Sequence, residues 1–213
     1  MASVTAPRIA LLTEDHVRDA IVLLTRAFMP DPIFSHYFPD PKQRAEVFGA
    51  FFDDLLRSHI RFGQVYGAMI DGELVAAAVW RPPDAGDPTP RDRKRAAAAE
   101  KRVRKIDPTA ANSLLGGFAA LEAQHPKEPH WYLCFAGVEP RLQGRGIGSA
   151  TLAPALEVAD RNRSLCYLET PFPRTHALYR RLGYEIIREG NPFPGAPRVW
   201  AMLRAPASAP PAP

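Results

Sequence analysis

The sequence predicts a mixed α and β fold wrapped around one sheet, and three observations carry that expectation. An apolar run over residues 131–138 leads into Gln143-Gly144-Arg145-Gly146-Ile147-Gly148, which reads as a strand, a glycine turn and a helix start near the middle of the sheet. Asp71-Gly72 joins two strand-like runs, 65–70 and 74–80, as a tight hairpin. Helical spacing recurs at Val17, Ile21, Leu24 and Phe28, and again at Val47, Phe51 and Leu55. A chain of 213 residues suits one domain with a real core, expected over 1–204.

The remaining elements follow in order. Residues 7–12 read as a first strand, Thr13 as an N-cap and 15–28 as a helix. The proline- and aromatic-rich stretch 29–41 is expected to be a structured loop, and 42–62 a second helix. Residues 82–90 form a loop, 91–105 a very basic helix, and 110–124 continue in helical character up to a break at 126–129. The strand at 131–138 is apolar throughout, as for a strand covered on both faces. A helix over 146–162 contains Pro154, which removes a hydrogen bond and should bend it. A strand at 165–169, a short helix at 175–182 ended by Gly183, and strands at 184–188 and 199–203 complete the sheet. The Ala/Pro tail 205–213 is expected to be disordered.

Composition narrows the function classes. The formal net charge of +4 favours anionic ligands in a general way without demanding nucleic acid. The basic helix reads as an anion-binding face or as a solvated surface, and no aromatic residues interleave with its charges. The two cysteines, Cys134 and Cys166, sit in apolar runs, which favours a reducing cytoplasm over a disulfide framework. No His or Cys spacing suggests a metal, no run is long enough for a membrane helix, and the N-terminus lacks the pattern of a signal peptide.

The glycine turn carries the chemistry. A strand–glycine–helix junction aims several backbone N–H groups and a helix N-terminus at one spot, which suits a phosphate or pyrophosphate. A dinucleotide fingerprint needs a final Gly or Ala, but Ser149 or Thr151 stands there, and a P-loop Lys-Ser/Thr ending is missing. Glu169 closes the strand 165–169 at the sheet centre, where it either takes a proton from an ammonium group or pairs as a rim carboxylate with an arginine. Tyr179 either donates a proton to a leaving thiolate or belongs to a packing stripe with Leu178 and Leu182. Phe28, Asp31, Phe34 and Tyr37 offer an aromatic surface and one acid, as a lining for an amine-bearing aromatic acceptor or as a minor core under a loop.

From 125 to 204 the chain resembles the GNAT superfamily of N-acetyltransferases, and within it the puromycin-acetylating branch. The blocks are His125-Pro126-Lys127-Glu128-Pro129, Gly137-Val138, Gln143-Gly144-Arg145-Gly146-Ile147-Gly148-Ser149-Ala150, Leu168-Glu169-Thr170 and Tyr179-Arg180-Arg181-Leu182-Gly183-Tyr184. The resemblance implies a GNAT fold, with a central mixed, mostly antiparallel sheet flanked by helices. It implies acetyl-CoA as cosubstrate, no metal, and a small-molecule primary amine as acceptor. It makes Tyr179 the general acid and Glu169 the base. It puts pyrophosphate on the backbone of Gln143, Gly144, Arg145, Gly146, Ile147, Gly148 and Ser149, and pantetheine beside Ala136 and Val138. Thr175 stands where the family commonly has an Asn that contacts cofactor or substrate. The competing expectation is a module without turnover, either an acyl-CoA sensor or a nucleic-acid binder using the basic helix.

Overall fold

The computed structural model describes residues 6–192 and 195–207. Most of the expected disordered tail, 208–213, lies outside the described residues. In chain order the elements are β1 (Arg8–Leu11), α1 (Val17–Phe28), α2 (Pro32–Tyr37), α3 (Pro41–Ile60), β2 (Val65–Ile70), β3 (Glu73–Arg81), α4 (Pro90–Ile106), α5 (Pro108–Glu122), β4 (His130–Val138), α6 (Ile147–Arg161), β5 (Leu165–Thr170), α7 (His176–Arg181), β6 (Glu185–Gly190) and β7 (Val199–Arg204). The seven strands form one sheet in the order β1-β2-β3-β4-β5-β7-β6. Every neighbouring pair is antiparallel except β4 and β5, which run parallel. The architecture is the mixed, mostly antiparallel sheet flanked by helices that the resemblance implies.

Strand alternation divides the core between the two faces of the sheet. Val79 points to the side of α1 to α5, where Leu24, Phe34, Phe48 and Phe52 are fully covered. Its neighbour Trp80 points to the other side, among Trp131, Leu152, Tyr184 and Met202 under α6 and α7. The hairpin forms at Asp71 (φ 50°) and Gly72 (φ 83°), where a two-residue turn requires positive φ. Gly137 seats α1 on β4: a Cβ there would lie 2.9 Å from both Ala27 Cβ and Leu24 Cδ2.

Several expectations need correction. The stretch 29–41 is not a loop, because Pro32–Tyr37 is helical, with Pro32 at the first position and the Asp31 carboxylate accepting from the Ile33 and Phe34 amides. Six residues give too little periodicity to register as a helix by pattern. The first helix opens as a 3-10 turn over Glu14–His16 before α1 proper. Helix α6 carries Pro154 in its interior, as the sequence led one to expect. On the basic helix α4, Asp92 and Arg95 turn inward and pair with each other at 2.6 Å, while Arg91, Arg93, Lys94, Arg102, Arg104 and Lys105 lie on the outside of the fold. Finally, β4 is not covered throughout: Trp131, Leu133 and Gly137 are buried, but the residues between them are only half-buried.

Candidate active site

The half-covered state of β4 has a structural cause. Strands β4 and β5 pair only over His130–Tyr132 and Leu165–Tyr167. Beyond that point β4 stays with β3 and β5 stays with β7, so the two part. A register shift falls at the same place: Trp80 opposes Leu133 while Val79 opposes Phe135, leaving Cys134 as an extra residue. Such a bulge bends and twists the strand that carries it. Past Tyr132, then, the β5 side of β4 has no strand partner among the described residues.

That opening is a cavity of about 770 Å³ running from the glycine turn to a chamber under α1, α2, α3 and α5. At one end, Gly144 (φ 78°) and Gly146 (φ 81°) hold left-handed backbone, and a Cβ added at either would meet nothing within 4 Å. Gly146 is the N-cap of α6 and offers no capping side chain. The first amides of α6, at Ile147, Gly148 and Ser149, have no acceptor within the helix, and the amides of Gly144 to Gly146 donate to no acceptor among the described residues. The Gln143 side chain donates to the Val138 carbonyl at 3.1 Å and fixes the turn to the end of β4. The cradle expected of these residues is therefore geometrically open and made of donors. Arg145 is the exception: its side chain lines a separate depression with Asp71, Glu73 and Arg141.

Tyr179 and Glu169 both line this cavity. Tyr179 is buried, packs against Tyr184 at 5.8 Å, and makes no side-chain hydrogen bond among the described residues. Burial pushes its hydroxyl up to about 12. It thus both packs in the core and lines the cavity. Glu169 is not a rim carboxylate bound to an arginine. Its side chain is 6% exposed, and its ion-pair partner is His125, with Nε2 lying 3.3 Å from Oε1. That contact lacks hydrogen-bond alignment, and the Tyr132 and Tyr167 hydroxyls are the other polar groups set against the buried carboxylate. Ala136, Val138 and Thr175 also line the cavity. The Thr175 hydroxyl, however, donates to the Phe172 carbonyl at 2.8 Å and lies 3.0 Å from Thr170 Oγ1, which ties down the turn after β5.

The far chamber is aromatic. Phe28, Phe34, Phe51, Phe118 and Phe135 line it, with Phe28 and Phe135 edge to face at 5.1 Å and Phe51 stacked on Phe118 at 5.5 Å. Asp31 lines it too, as the cap of α2, and burial pushes its carboxyl up to about 6. Tyr37 is not among the lining residues and packs against the core. Sequence reasoning missed Phe51, Phe118 and Phe135 as wall residues. It also missed His59, which sits 3.5 Å from Cys134 Sγ and is held down to about 4 by burial. It missed Glu122, Arg81 and His125 as well. Only His125 had a signal, its place in the block before β4.

The comparisons give the family. The chain belongs to the acetyltransferase (GNAT) family, whose model matches residues 26–184. A GCN5-like protein acetyltransferase of Mycobacterium tuberculosis is 38% identical over 92 residues, a match spanning 41% of this chain and only 44% of that protein. A solved structure from Corynebacterium glutamicum, described as histone acetyltransferase HPA2 and related acetyltransferase, superposes with a TM-score of 0.67 at 24% identity, covering 96% of this chain and 99% of that one. An agmatine N-acetyltransferase does so with a TM-score of 0.68 at 18% identity, covering 94% and 99%. At these identities the structural likeness is one of fold.

Proposed function

We propose that this acetyltransferase carries acetyl from acetyl-CoA to the primary amine of a small molecule, by direct attack in a ternary complex. One observation carries the reading: a single cavity is lined by the open amide cradle, by an aromatic chamber, and by Glu169 and Tyr179. The cradle amides from Gly144 to Ser149 suit a pyrophosphate, since charge-assisted bonds to backbone N–H are among the stronger ones. The unpaired edge of β4 at Ala136 and Val138 suits an amide-bearing arm such as pantetheine. When bound, acetyl-CoA supplies the activated thioester.

The chain's own residues then do three things. Glu169, a buried carboxylate lining the cavity, accepts the proton of the incoming ammonium. Backbone amides along the open edge of β4 stabilise the developing oxyanion. Tyr179 donates to the departing sulfur. A hydroxyl raised to about 12 stays protonated across the working range. Against a thiol of about 8.5 it acts first as a hydrogen-bond donor, and full transfer needs surroundings altered by the bound substrates.

The chamber favours an amine on an apolar or aromatic body, of the kind found in antibiotics and xenobiotics. The likeness to the puromycin-acetylating branch rests on the sequence blocks alone and points the same way. Phe28, Phe34 and Asp31 stay in this assignment, and Tyr37 leaves it. We assign the work to a cytoplasmic domain over 1–204 that needs no metal, nucleic acid or membrane. The name of the mycobacterial relative favours a second reading, in which the acceptor is a protein lysine. Thiol release from acetyl-CoA with phenethylamine, agmatine and a lysine peptide tests both. Release with phenethylamine supports the small-molecule reading, release with the peptide alone supports the second, and acetyl-CoA binding with no release from any amine contradicts both.

A further inference from the structure

We propose that His125 and His130 form a proton relay that empties Glu169 to solvent after it has deprotonated the acceptor, an inference that rests on the role given to Glu169 above. The need arises from burial. Both Glu169 oxygens are buried, beside the Tyr132 and Tyr167 hydroxyls, so a proton taken there needs a path out. The structure provides a chain of groups leading away. His125 Nε2 lies 3.3 Å from Glu169 Oε1. His125 Nδ1 lies 3.3 Å from His130 Nε2, and His130 Nδ1 lies 2.8 Å from the Glu128 carbonyl oxygen. The His125 side chain is 7% exposed, held between the rings of Tyr132 at 4.4 Å and Tyr167 at 4.7 Å, whereas His130 reaches the surface.

The tautomers follow from the partners. His130 Nδ1 faces a carbonyl and must carry hydrogen. Burial first, with His125 adding to it, holds His130 below the usual imidazole range, so at neutral pH its Nε2 is an acceptor. His125 Nδ1 therefore donates to it. That leaves one proton position shared by His125 Nε2 and Glu169 Oε1. The surrounding charges are Glu122 on α5, 3.8 Å from His125 Nε2 and itself paired with Arg81 of β3 at 2.7 Å, and Arg188 of β6, which donates to the Tyr167 hydroxyl at 3.1 Å. Burial raises the Tyr132 and Tyr167 hydroxyls, so both stay neutral.

The transfer balances. An N–H bond of the ammonium breaks and an O–H bond forms on Glu169, freeing the nitrogen lone pair for attack. That proton passes to His125 Nε2, the Nδ1 proton of His125 passes to His130 Nε2, and His130 gives one proton to water. Glu169 returns to its carboxylate and one proton has passed from substrate to solvent; His125 is left as its Nε2–H tautomer and regains the Nδ1–H form by proton exchange before the next turnover.

The test uses His130→Ala, His125→Gln and Glu169→Gln in the full chain, each checked by its melting curve. With the amine of the panel that turns over best, His130→Ala should lower kcat about fivefold and His125→Gln about 10- to 100-fold, within the range of general acid–base effects, while the KM for acetyl-CoA stays put. Added imidazole should restore most of the His130→Ala loss, which a purely structural loss would not allow. Parental kcat in both histidine variants beside an impaired Glu169→Gln overturns the relay alone, and so does a His130→Ala loss that imidazole does not touch. Parental kcat in Glu169→Gln overturns the base assignment itself. Should no amine turn over, imidazole ¹⁵N NMR of the free protein decides between relay and none. An Nδ1–H tautomer of His130, with a His125 titration that moves in both Glu169→Gln and His130→Ala, supports the relay. An Nε2–H tautomer of His130, or a His125 titration unmoved by either change, overturns it.

Discussion

Replacing Gly146 separates the helix cap from the anion site. Gly146 sits at φ 81° with open space where a Cβ would go. Gly146→Ala adds one methyl group in left-handed backbone, which costs roughly 1–2 kcal/mol of stability and leaves the amides exposed. Gly146→Asp behaves differently. Asp tolerates left-handed backbone better than Ala, so its melting loss should be the smaller of the two, although the extended caps Asp31, Asp40 and Asp107 have no counterpart at φ 81°. Its carboxylate brings a negative charge to the spot assigned to pyrophosphate. Losing one charge-assisted bond, about 1.5–3 kcal/mol, lowers affinity by roughly 10- to 100-fold. Like-charge repulsion adds to that and shrinks with salt. Melting curves and calorimetric titration with acetyl-CoA should therefore find Gly146→Ala less stable yet near parental in affinity, and Gly146→Asp no less stable than Gly146→Ala yet tens-fold weaker in affinity. Unchanged affinity in folded Gly146→Asp would refute the cradle.

The other predictions are smaller in scope. Tyr179→Phe keeps the ring and removes a hydroxyl that makes no hydrogen bond among the described residues, so melting should hold while kcat falls by about 10²-fold with little change in KM for acetyl-CoA, read by steady-state kinetics. Glu169→Gln should lower turnover at neutral pH and regain part of it at higher pH, where free amine is abundant; a deficit constant across pH would indicate positioning instead. Asp31 and His59 give opposite pH signatures in denaturant unfolding. The Asp31 carboxyl is raised to about 6, so the folded state holds that proton more tightly and stability from this group falls as pH rises from about 4 to 6; Asp31→Asn should gain on the parent at pH 7 relative to pH 4. The His59 imidazole is lowered to about 4, so its contribution is present above about 6.5 and lost as pH falls towards 4, and His59→Gln should flatten that loss.

What the sequence carried and what it did not divide along physical lines. Local signals were legible: Asp71-Gly72 made its hairpin, Gly183 ended α7 at φ 89°, and the alternation of Gly144, Gly146 and Gly148 marked the turn into α6. The helix α2 was missed because its evidence is a cap and a proline, Asp31-Pro32, rather than a period. The parting of β4 and β5 was hidden because it depends on where two distant strands stop pairing and on one extra residue at Cys134, and neither leaves a mark in composition. For the same reason β4 read as covered on both faces. Glu169 was legible as a residue of interest, but its partner was not. His125 lies 44 positions away and meets it only because β4 and β5 run side by side at their first residues. The chamber walls Phe51 and Phe118 carry ordinary helical spacing, and nothing local separates a ring facing a cavity from one facing a core.

The central claim, that one cavity joins donor and acceptor for acetyl transfer, is tested most directly by thiol release. Purified protein is mixed with acetyl-CoA and a panel spanning phenethylamine, agmatine and a lysine peptide, and free coenzyme A thiol is followed against amine-free and Tyr179→Phe controls. The account predicts saturable release with phenethylamine, an acetylated amine of matching stoichiometry, and rates reduced about 10²-fold in Tyr179→Phe. Tight acetyl-CoA binding with no amine-dependent release across the panel would contradict it and leave the cavity as a sensor's pocket.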